Sequence, residues 1–240
     1  MSGQLILVPT PISEMGTLTT ELREQLLRAF EKGAIIAVED LKPARQRWRA
    51  WDLPREAIES FFPYNEHTRG GDSSDGDKLL LEKLKKGETV YLMSDGGMPA
   101  FCDPGRSLVA ECHRQGITVT CTPTDNSLLP TVALSGFTEG AFSFLGFPPR
   151  EKGERKEWFL SLKKKSEVLV FMDTPYRLDR VISELIEGYQ DQAKSQFVYL
   201  LCDINRETER SYWGPLSKLS SLQPLEKGEF VLVLAGKSPF

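Results

Sequence analysis

Two carboxylates, Asp95 and Asp103, bracket most of the stretch Ser94-Asp95-Gly96-Gly97-Met98-Pro99-Ala100-Phe101-Cys102-Asp103-Pro104-Gly105. Adjacent glycines let backbone N–H and C=O groups approach a ligand closely, and prolines stiffen the path between them. A further acid, Asp40, follows Glu39 at the end of a separate apolar run, Ala34 to Val38. Acids, prolines and glycines at strand ends suit a reaction in which the cofactor is already activated and the protein supplies alignment, dryness and one base. Methyl transfer from a sulfonium is such a reaction.

Other chemistries lack their residues. No G-x-G and no G-x-x-x-x-G-K-S/T occurs, so neither a dinucleotide fingerprint nor a P-loop is present. There is no H-E-x-x-H and no G-x-S-x-G, and neither His67 nor His113 has a local partner for a nucleophilic triad. Four cysteines without a C-x-x-C pair, beside only two histidines, argue against a metal site and for free thiols in a reducing cytosol. The formal net charge of −4 argues against indiscriminate nucleic-acid binding, but leaves two local basic clusters, Lys42 to Arg49 and Arg150 to Lys156. No apolar run is long enough to span a bilayer and no secretory signal is visible, so a cytoplasmic protein without a membrane partner is expected.

The elements that must position these residues alternate between strand and helix. Strands are expected over Leu5 to Val8, Ala34 to Val38, Thr89 to Met93 and Ile117 to Thr122. Between them come a helix carrying Leu22, Leu26, Ala29 and Phe30, capped by Thr20, and a basic, tryptophan-bearing helix after Pro43. Helices Asp77 to Lys86 and Arg106 to Gln115 follow, each stopped by a glycine. Pro63 to His67 reads as a strand or a loop, and Arg69 to Asp77 as a polar, glycine-rich loop of the kind that serves as a lid. This alternation predicts a parallel sheet with helices on its faces. Pro123 to Ser127 reads as a hinge, which divides the chain into α/β domains at 1–122 and 123–240. In the second half, helices over Leu128 to Ser135, Glu151 to Lys164 and Arg177 to Glu187 alternate with strands at Phe142 to Leu145, Val168 to Met172 and Phe197 to Leu201. Trp213-Gly214-Pro215 reads as a turn before a final strand, Glu229 to Leu234.

Strings spread over nearly the whole chain carry a resemblance: Leu7-Val8-Pro9-Thr10-Pro11-Ile12, Ser94-Asp95-Gly96-Gly97-Met98-Pro99, Asp103-Pro104-Gly105, Ser135-Gly136, Gly146-Phe147-Pro148-Pro149-Arg150, Pro175-Tyr176-Arg177-Leu178 and Gly228-Glu229-Phe230-Val231. Together they resemble the tetrapyrrole methylase superfamily and, within it, the ribosomal RNA small subunit methyltransferase I family. The resemblance implies a two-domain α/β fold, with a mostly parallel N-terminal sheet and a mixed C-terminal sheet flanked by helices. It also implies S-adenosylmethionine in the cleft between the domains, a homodimer, and 2′-O-methylation of a ribose in ribosomal RNA. Carried onto this chain, Thr10, Pro11, Ser94, Asp95, Gly97, Met98 and Pro99 would face the cofactor, with Asp95 on its ammonium or ribose hydroxyls. Asn126 would stand where the family's hinge serine does, and Met172, Asp173, Thr174 and Leu201 would close over the adenine or methionine part. Lys42, Arg150, Lys152, Arg155 and Arg177 would meet the RNA, with Lys156 beside them, and Asp40, Asp95 or Asp103 would orient or deprotonate the attacking oxygen.

The chain departs from the family pattern at polar positions. Ser13 and Glu14 replace a Gly-Asn pair, Leu41-Lys42 replace Thr-Arg, and Pro123-Thr124-Asp125-Asn126-Ser127 replaces a glycine-bearing hinge. Asp173 and Tyr176 stand where the family has Glu and His, and Asp203 keeps acid character near the end of a later strand. Matches fall on backbone-shaping residues and changes on polar ones, which describes a divergent paralogue. Two other functions follow from the same residues: a small-molecule methylase of the tetrapyrrole type, and an inactive RNA-binding paralogue working through Arg45, Arg47 and Arg49.

Overall fold

The structure, a computed structural model, describes residues 3–11, 16–64, 75–123, 126–138, 140–222 and 224–236. The chain divides into two compact units, Met1–Asp125 and Asn126–Phe240. The expected contacts of Ser13, Glu14, His67, Thr124 and Asp125, and most of the expected lid, lie outside the described residues.

In the first unit strands β1 (Gln4–Val8), β2 (Ile35–Val38), β3 (Phe62–Pro63), β4 (Thr89–Met93) and β5 (Thr118–Cys121) form one sheet in the order β3-β2-β4-β1-β5. All its pairings among the described residues are parallel. Helices α1 (Thr20–Glu31), α2 (Leu41–Ala50), α3 (Asp75–Lys85) and α4 (Arg106–Arg114) make the crossovers. The period of two along each strand sends alternate residues to opposite faces. Val8, Ile36, Val38 and Met93 pack with Leu22, Leu26 and Trp48. Leu5, Leu7, Val90 and Leu92 pack on the other face with Leu80, Leu84, Leu108 and Cys112. Strands buried on both faces read as unbroken apolar runs, which is the pattern of a parallel sheet between two helical layers.

The second unit contains α5 (Leu128–Ser135), β6 (Phe142–Phe144), α6 (Lys152–Leu162), β7 (Val168–Asp173), α7 (Leu178–Tyr189), β8 (Phe197–Cys202), β9 (Arg210–Pro215), α8 (Leu216–Leu219) and β10 (Phe230–Leu234). Its sheet, ordered β6-β7-β10-β8-β9, is mixed: β6 and β7 are parallel, and the remaining pairs antiparallel. One face packs on α6 and α7 through Phe159, Phe171, Ile182 and Leu185, and the other on α5 through Val132, Val170 and Val233.

Two local expectations are corrected. The cap of α1 is Thr19, whose hydroxyl accepts from the Leu22 N–H, so the helix starts with Thr20 inside it. Trp213-Gly214-Pro215 is not a turn but the end of β9, held by its pairing with Phe197 to Tyr199. Asp77, expected both as the last residue of the polar loop and as the first of a helix, lies in α3: it is 1% exposed and takes hydrogen bonds from the Tyr64 hydroxyl at 2.6 Å and the Ser107 hydroxyl at 2.6 Å. Among the described residues no helix is long and apolar enough to cross a membrane. Because Asp77→Ala leaves the buried Tyr64 hydroxyl without this acceptor, it should destabilise the protein by about 2–3 kcal/mol, read as a lowered urea midpoint.

Candidate active site

The parallel sheet brings the carboxyl ends of β2, β4 and β1 side by side, the usual ligand edge of an open α/β sheet. Beyond Val8 the chain makes one more pairing, in the opposite sense. The Thr10 N–H donates to the Gly97 carbonyl and the Gly97 N–H to the Thr10 carbonyl, both at 2.9 Å. The Thr10 hydroxyl donates to the Ser94 carbonyl at 3.0 Å, and the Ser94 hydroxyl to the Gly97 carbonyl at 3.0 Å. On the other side the Asp95 N–H donates to Glu39 Oε2 at 3.1 Å, and the Asp40 N–H returns to Asp95 Oδ1 at 3.2 Å. Three strand ends are thereby stitched into one floor.

Gly97 has φ +101°, and a Cβ built there would lie 3.7 Å from Asp103 Oδ2, so the second acid of the stretch folds back over the glycine. Ala100 and Cys102, both at φ +64°, hold the intervening loop in the left-handed region without the freedom of glycine. Such strain concentrates where the surrounding structure dictates a shape for a ligand.

The floor gathers Glu39, Asp40, Asp95 and Asp103. Burial first, and then the charge of Glu39, push the Asp95 carboxyl up to about 6, against the Asp40 N–H that favours its ionised form. Burial and Glu39 push Asp103 further, to about 7, opposed by a hydrogen bond with Ser94. Carboxyls this close to neutrality can exchange a proton at working pH, and a cation placed beside them would draw both back to the charged form. The floor therefore fits S-adenosylmethionine, which carries a sulfonium and an ammonium. No cluster of metal-ligand type occurs among the described residues.

In the second unit Asp173 ends β7, 2% exposed. Its Oδ1 accepts from the Thr174 N–H at 2.7 Å and pairs with Arg177 Nη1 at 3.2 Å, while its buried Oδ2 has no hydrogen-bond partner among the described residues. Burial raises its pKa, against Thr174, Arg177 and Arg155. An acceptor without a donor at a strand end is a second feature that a hydroxyl- or amine-bearing ligand would complete.

Several expected residues serve the scaffold instead. The side chains of Thr10 and Ser94 tie the loop together, 5% and 6% exposed, so they shape the floor rather than face a ligand. Asp40 caps α2, accepting from the Lys42 N–H at 2.9 Å, which engages one of its oxygens. Pro11 is held through its carbonyl by Arg47 Nη1, and Arg47 is buried, so it belongs to no exposed basic surface. Pro99 is buried and Met98 packs against the core. The Asn126 side-chain oxygen accepts from the Leu129 N–H at 3.0 Å, a capping role at the start of α5. Leu201 is a core residue between β8 and α5, and Met172 packs beside it, whereas Thr174 is exposed.

Arg155, expected on a phosphate, is buried in a forked pair with Glu184, Nη2 to Oε1 at 2.8 Å, and its Nη1 binds the carbonyls of Pro149 and Arg150. Arg177 reaches the Pro149 carbonyl at 3.2 Å besides Asp173. Both arginines fix the Gly146 to Arg150 turn. Lys42, Arg150, Lys152 and Lys156 remain exposed. Asp203 is a structural hub: it pairs with Arg206 and Arg210 and accepts from the Glu229 N–H at 3.0 Å. A Cβ at Gly228 would strike its Oδ2 at 2.4 Å, so that glycine is required by close approach. Glu39 was missed as a site residue, although its place beside Asp40 at a strand end was visible.

Comparison with known proteins gives a consistent picture. The sequence pattern of the tetrapyrrole (corrin/porphyrin) methylases matches residues 4–220. The chain is 32% identical over 237 residues to a ribosomal RNA small subunit methyltransferase I of Thermotoga maritima, covering 98% of this chain and 99% of that protein. It is 29% identical to the enzyme of the same name from Bacillus subtilis, covering 98% and 76%. A solved uroporphyrin-III C-methyltransferase of Thermus thermophilus in complex with S-adenosylhomocysteine shares the fold, with TM-score 0.56, 16% identity and 97% of each chain covered. A diphthine synthase does so with TM-score 0.59, 11% identity, and 98% and 90% covered.

Two outcomes follow from the geometry. Between roughly pH 4 and 7 the folded chain holds more protons on Asp103 and Asp95 than the unfolded chain, whose carboxyls titrate near 3.8. Stability without ligand therefore falls as pH rises through that window, and Asp103→Asn should raise the melting temperature at pH 8 by a few degrees, while leaving it unchanged near pH 4. Glu184→Gln, which removes the charge paired with the buried Arg155 guanidinium, should cost about 3 kcal/mol in urea unfolding.

Proposed function

We propose, from the premise that this chain belongs to the tetrapyrrole (corrin/porphyrin) methylase family and is an S-adenosylmethionine-dependent methyltransferase, that it methylates a ribose 2′-hydroxyl of small-subunit ribosomal RNA. The observation that carries this reading beyond kinship is the floor of carboxylates at the ends of β1, β2 and β4, tied by the Thr10–Gly97 bridge and the Asp95–Glu39 and Asp95–Asp40 hydrogen bonds. Relatives that share nearly the whole chain are named for ribosomal RNA methylation, which favours RNA over a porphyrinoid as acceptor.

When bound, S-adenosylmethionine supplies an electrophilic methyl group on a positively charged sulfur. Asp95 would hold its ammonium or ribose hydroxyls, and the backbone at Gly96 and Gly97 would offer the close approach. In the second unit Asp173, whose buried Oδ2 has no hydrogen-bond partner among the described residues, would be a further acceptor for a hydroxyl or an ammonium. Asp103 would accept the proton of the attacking hydroxyl, since burial and then the charge of Glu39 hold its carboxyl up at about 7. Asp103 would take the hydroxyl's proton as the oxygen takes the methyl, with S-adenosylhomocysteine as the other product. The reading also takes the protein to work in the cytoplasm as a homodimer.

The test is methyl transfer from labelled S-adenosylmethionine to small ribosomal subunits, with the product nucleoside identified by mass. Appearance of a 2′-O-methylated nucleoside is expected, and label on a porphyrinoid but not on RNA would reverse the choice of substrate. Asp95→Asn should weaken S-adenosylmethionine binding about tenfold or more in calorimetry, since a charge-assisted hydrogen bond is lost. Affinity of the unaltered protein should rise from pH 5.5 to pH 8 as the carboxyls ionise.

A further inference from the structure

The ten residues of α2, Leu-Lys-Pro-Ala-Arg-Gln-Arg-Trp-Arg-Ala, contain four cations and no acid, in a chain whose net charge is −4. Ala44, Arg47 and Trp48 turn into the core, and Arg47 there supports Pro11. Lys42, Arg45 and Arg49, spaced i, i+3 and i+7, lie together on the opposite, exposed face. They span about 10 Å of helix axis at 1.5 Å per residue. None of the three forms an ion pair with another described residue, and neither does the exposed Arg55 on the 3₁₀ turn that follows (Arg55–Ser60). Arg49 and Arg55 line an open cavity of about 410 Å³, with Ile58 as an apolar wall and Glu59 as its acid.

We propose that this face is where the RNA backbone docks: Arg45 and Arg49 hold successive phosphates, and the cavity between Arg49 and Arg55 seats one ribose-phosphate unit. Two guanidiniums against one carboxylate leave a single positive charge, which complements a phosphodiester, and Ile58 gives the sugar an apolar surface. Forked guanidiniums suit phosphate oxygens better than point charges do. The direction of the track has a physical basis, because Asp40 caps α2 and is bonded to Asp95. The basic face therefore starts at the rim of the carboxylate floor and leads outward from it, so phosphates drawn to α2 bring a neighbouring ribose towards Asp103. Phosphate contacts of this kind position the RNA, and sequence choice lies elsewhere. The proposal rests on the RNA methyltransferase reading.

The experiment measures binding of a fluorescent single-stranded oligoribonucleotide from small-subunit ribosomal RNA across a series of KCl concentrations, beside methyl transfer to small subunits and calorimetric titration with S-adenosylmethionine. The variants are Arg45→Gln/Arg49→Gln/Arg55→Gln and the matching triple lysine substitution. Removing three phosphate contacts should flatten the slope of log affinity against log salt by about 2, at roughly 0.7 per contact on a single strand. The glutamine variant should also lose RNA affinity more than tenfold at low salt while binding S-adenosylmethionine as before, and the lysine variant should keep most of the slope. An unchanged slope in the glutamine variant, with an unaltered protein that does methylate small subunits, overturns the docking face and leaves the function standing. Loss of S-adenosylmethionine binding by that variant would assign the effect to the fold and also count against the proposal. An unaltered protein that binds S-adenosylmethionine yet neither binds nor methylates RNA overturns both.

Discussion

The first unit's ligand edge depends on the two hydrogen bonds between Thr10 and Gly97. Parallel strands end with backbone groups that the ladder no longer pairs, and at this edge a reversed bridge pairs them. The bridge brings Gly97 against the end of β1, the Ser94 and Thr10 hydroxyls close the remaining acceptors, and Asp95 is left pointing at the end of β2. Asp95 meets Glu39 and Asp40 only because this loop is pinned. The positive φ of Gly97, and the strained backbone of Ala100 and Cys102, are conditions of that path.

Holding several carboxylates together works against folding and for binding. Each acid raises the cost of charging its neighbours, which lifts Asp95 and Asp103 towards neutrality. A cation placed beside them would remove that cost, so the same repulsion that works against folding would favour a cationic ligand. Asp203 in the second unit shows the opposite arrangement. Two arginines, a hydroxyl and a backbone N–H surround it, and a glycine makes room for it. Asp173 lies between these cases, with one oxygen paired and the other buried without a donor among the described residues. Residue type is shared by all of them, and surroundings decide which acid is structural and which is available for chemistry.

Arginines divide in the same way. Arg47, Arg155 and Arg177 reach backbone carbonyls of the loops at Pro11 and at Pro149 to Arg150, and so set the shape of those turns. Arg45, Arg49 and Arg55 stay exposed. On α2 the distinction was available in helical periodicity, because position 47 shares a face with Ala44, Trp48 and Trp51. For Arg155 it was not, since its partner Glu184 lies 29 residues away on another helix.

Local pattern alone determined the alternation of strand and helix, the parallel sheet, the glycine stops and the family, because these rest on apolar period, backbone-permissive residues and short strings in order. It also singled out Asp40, Asp95 and Asp103 as acids at strand ends. Local pattern missed the true cap of α1 by one residue and the pairing of Trp213 to Pro215 within β9. Each of these is settled by a competing hydrogen bond or a neighbouring strand. Only the tertiary structure decided that Glu39 joins the site, that Thr10 and Ser94 build the floor, and that Asp40 serves as a cap. It likewise decided that Leu201 is core and that Arg155 and Arg177 are internal. The physical reason is distance along the chain: the Asp95–Glu39 bond spans 56 residues and the Thr10–Ser94 bond 84. A side chain's role as donor, acceptor or ion is fixed by such partners, which no local pattern specifies.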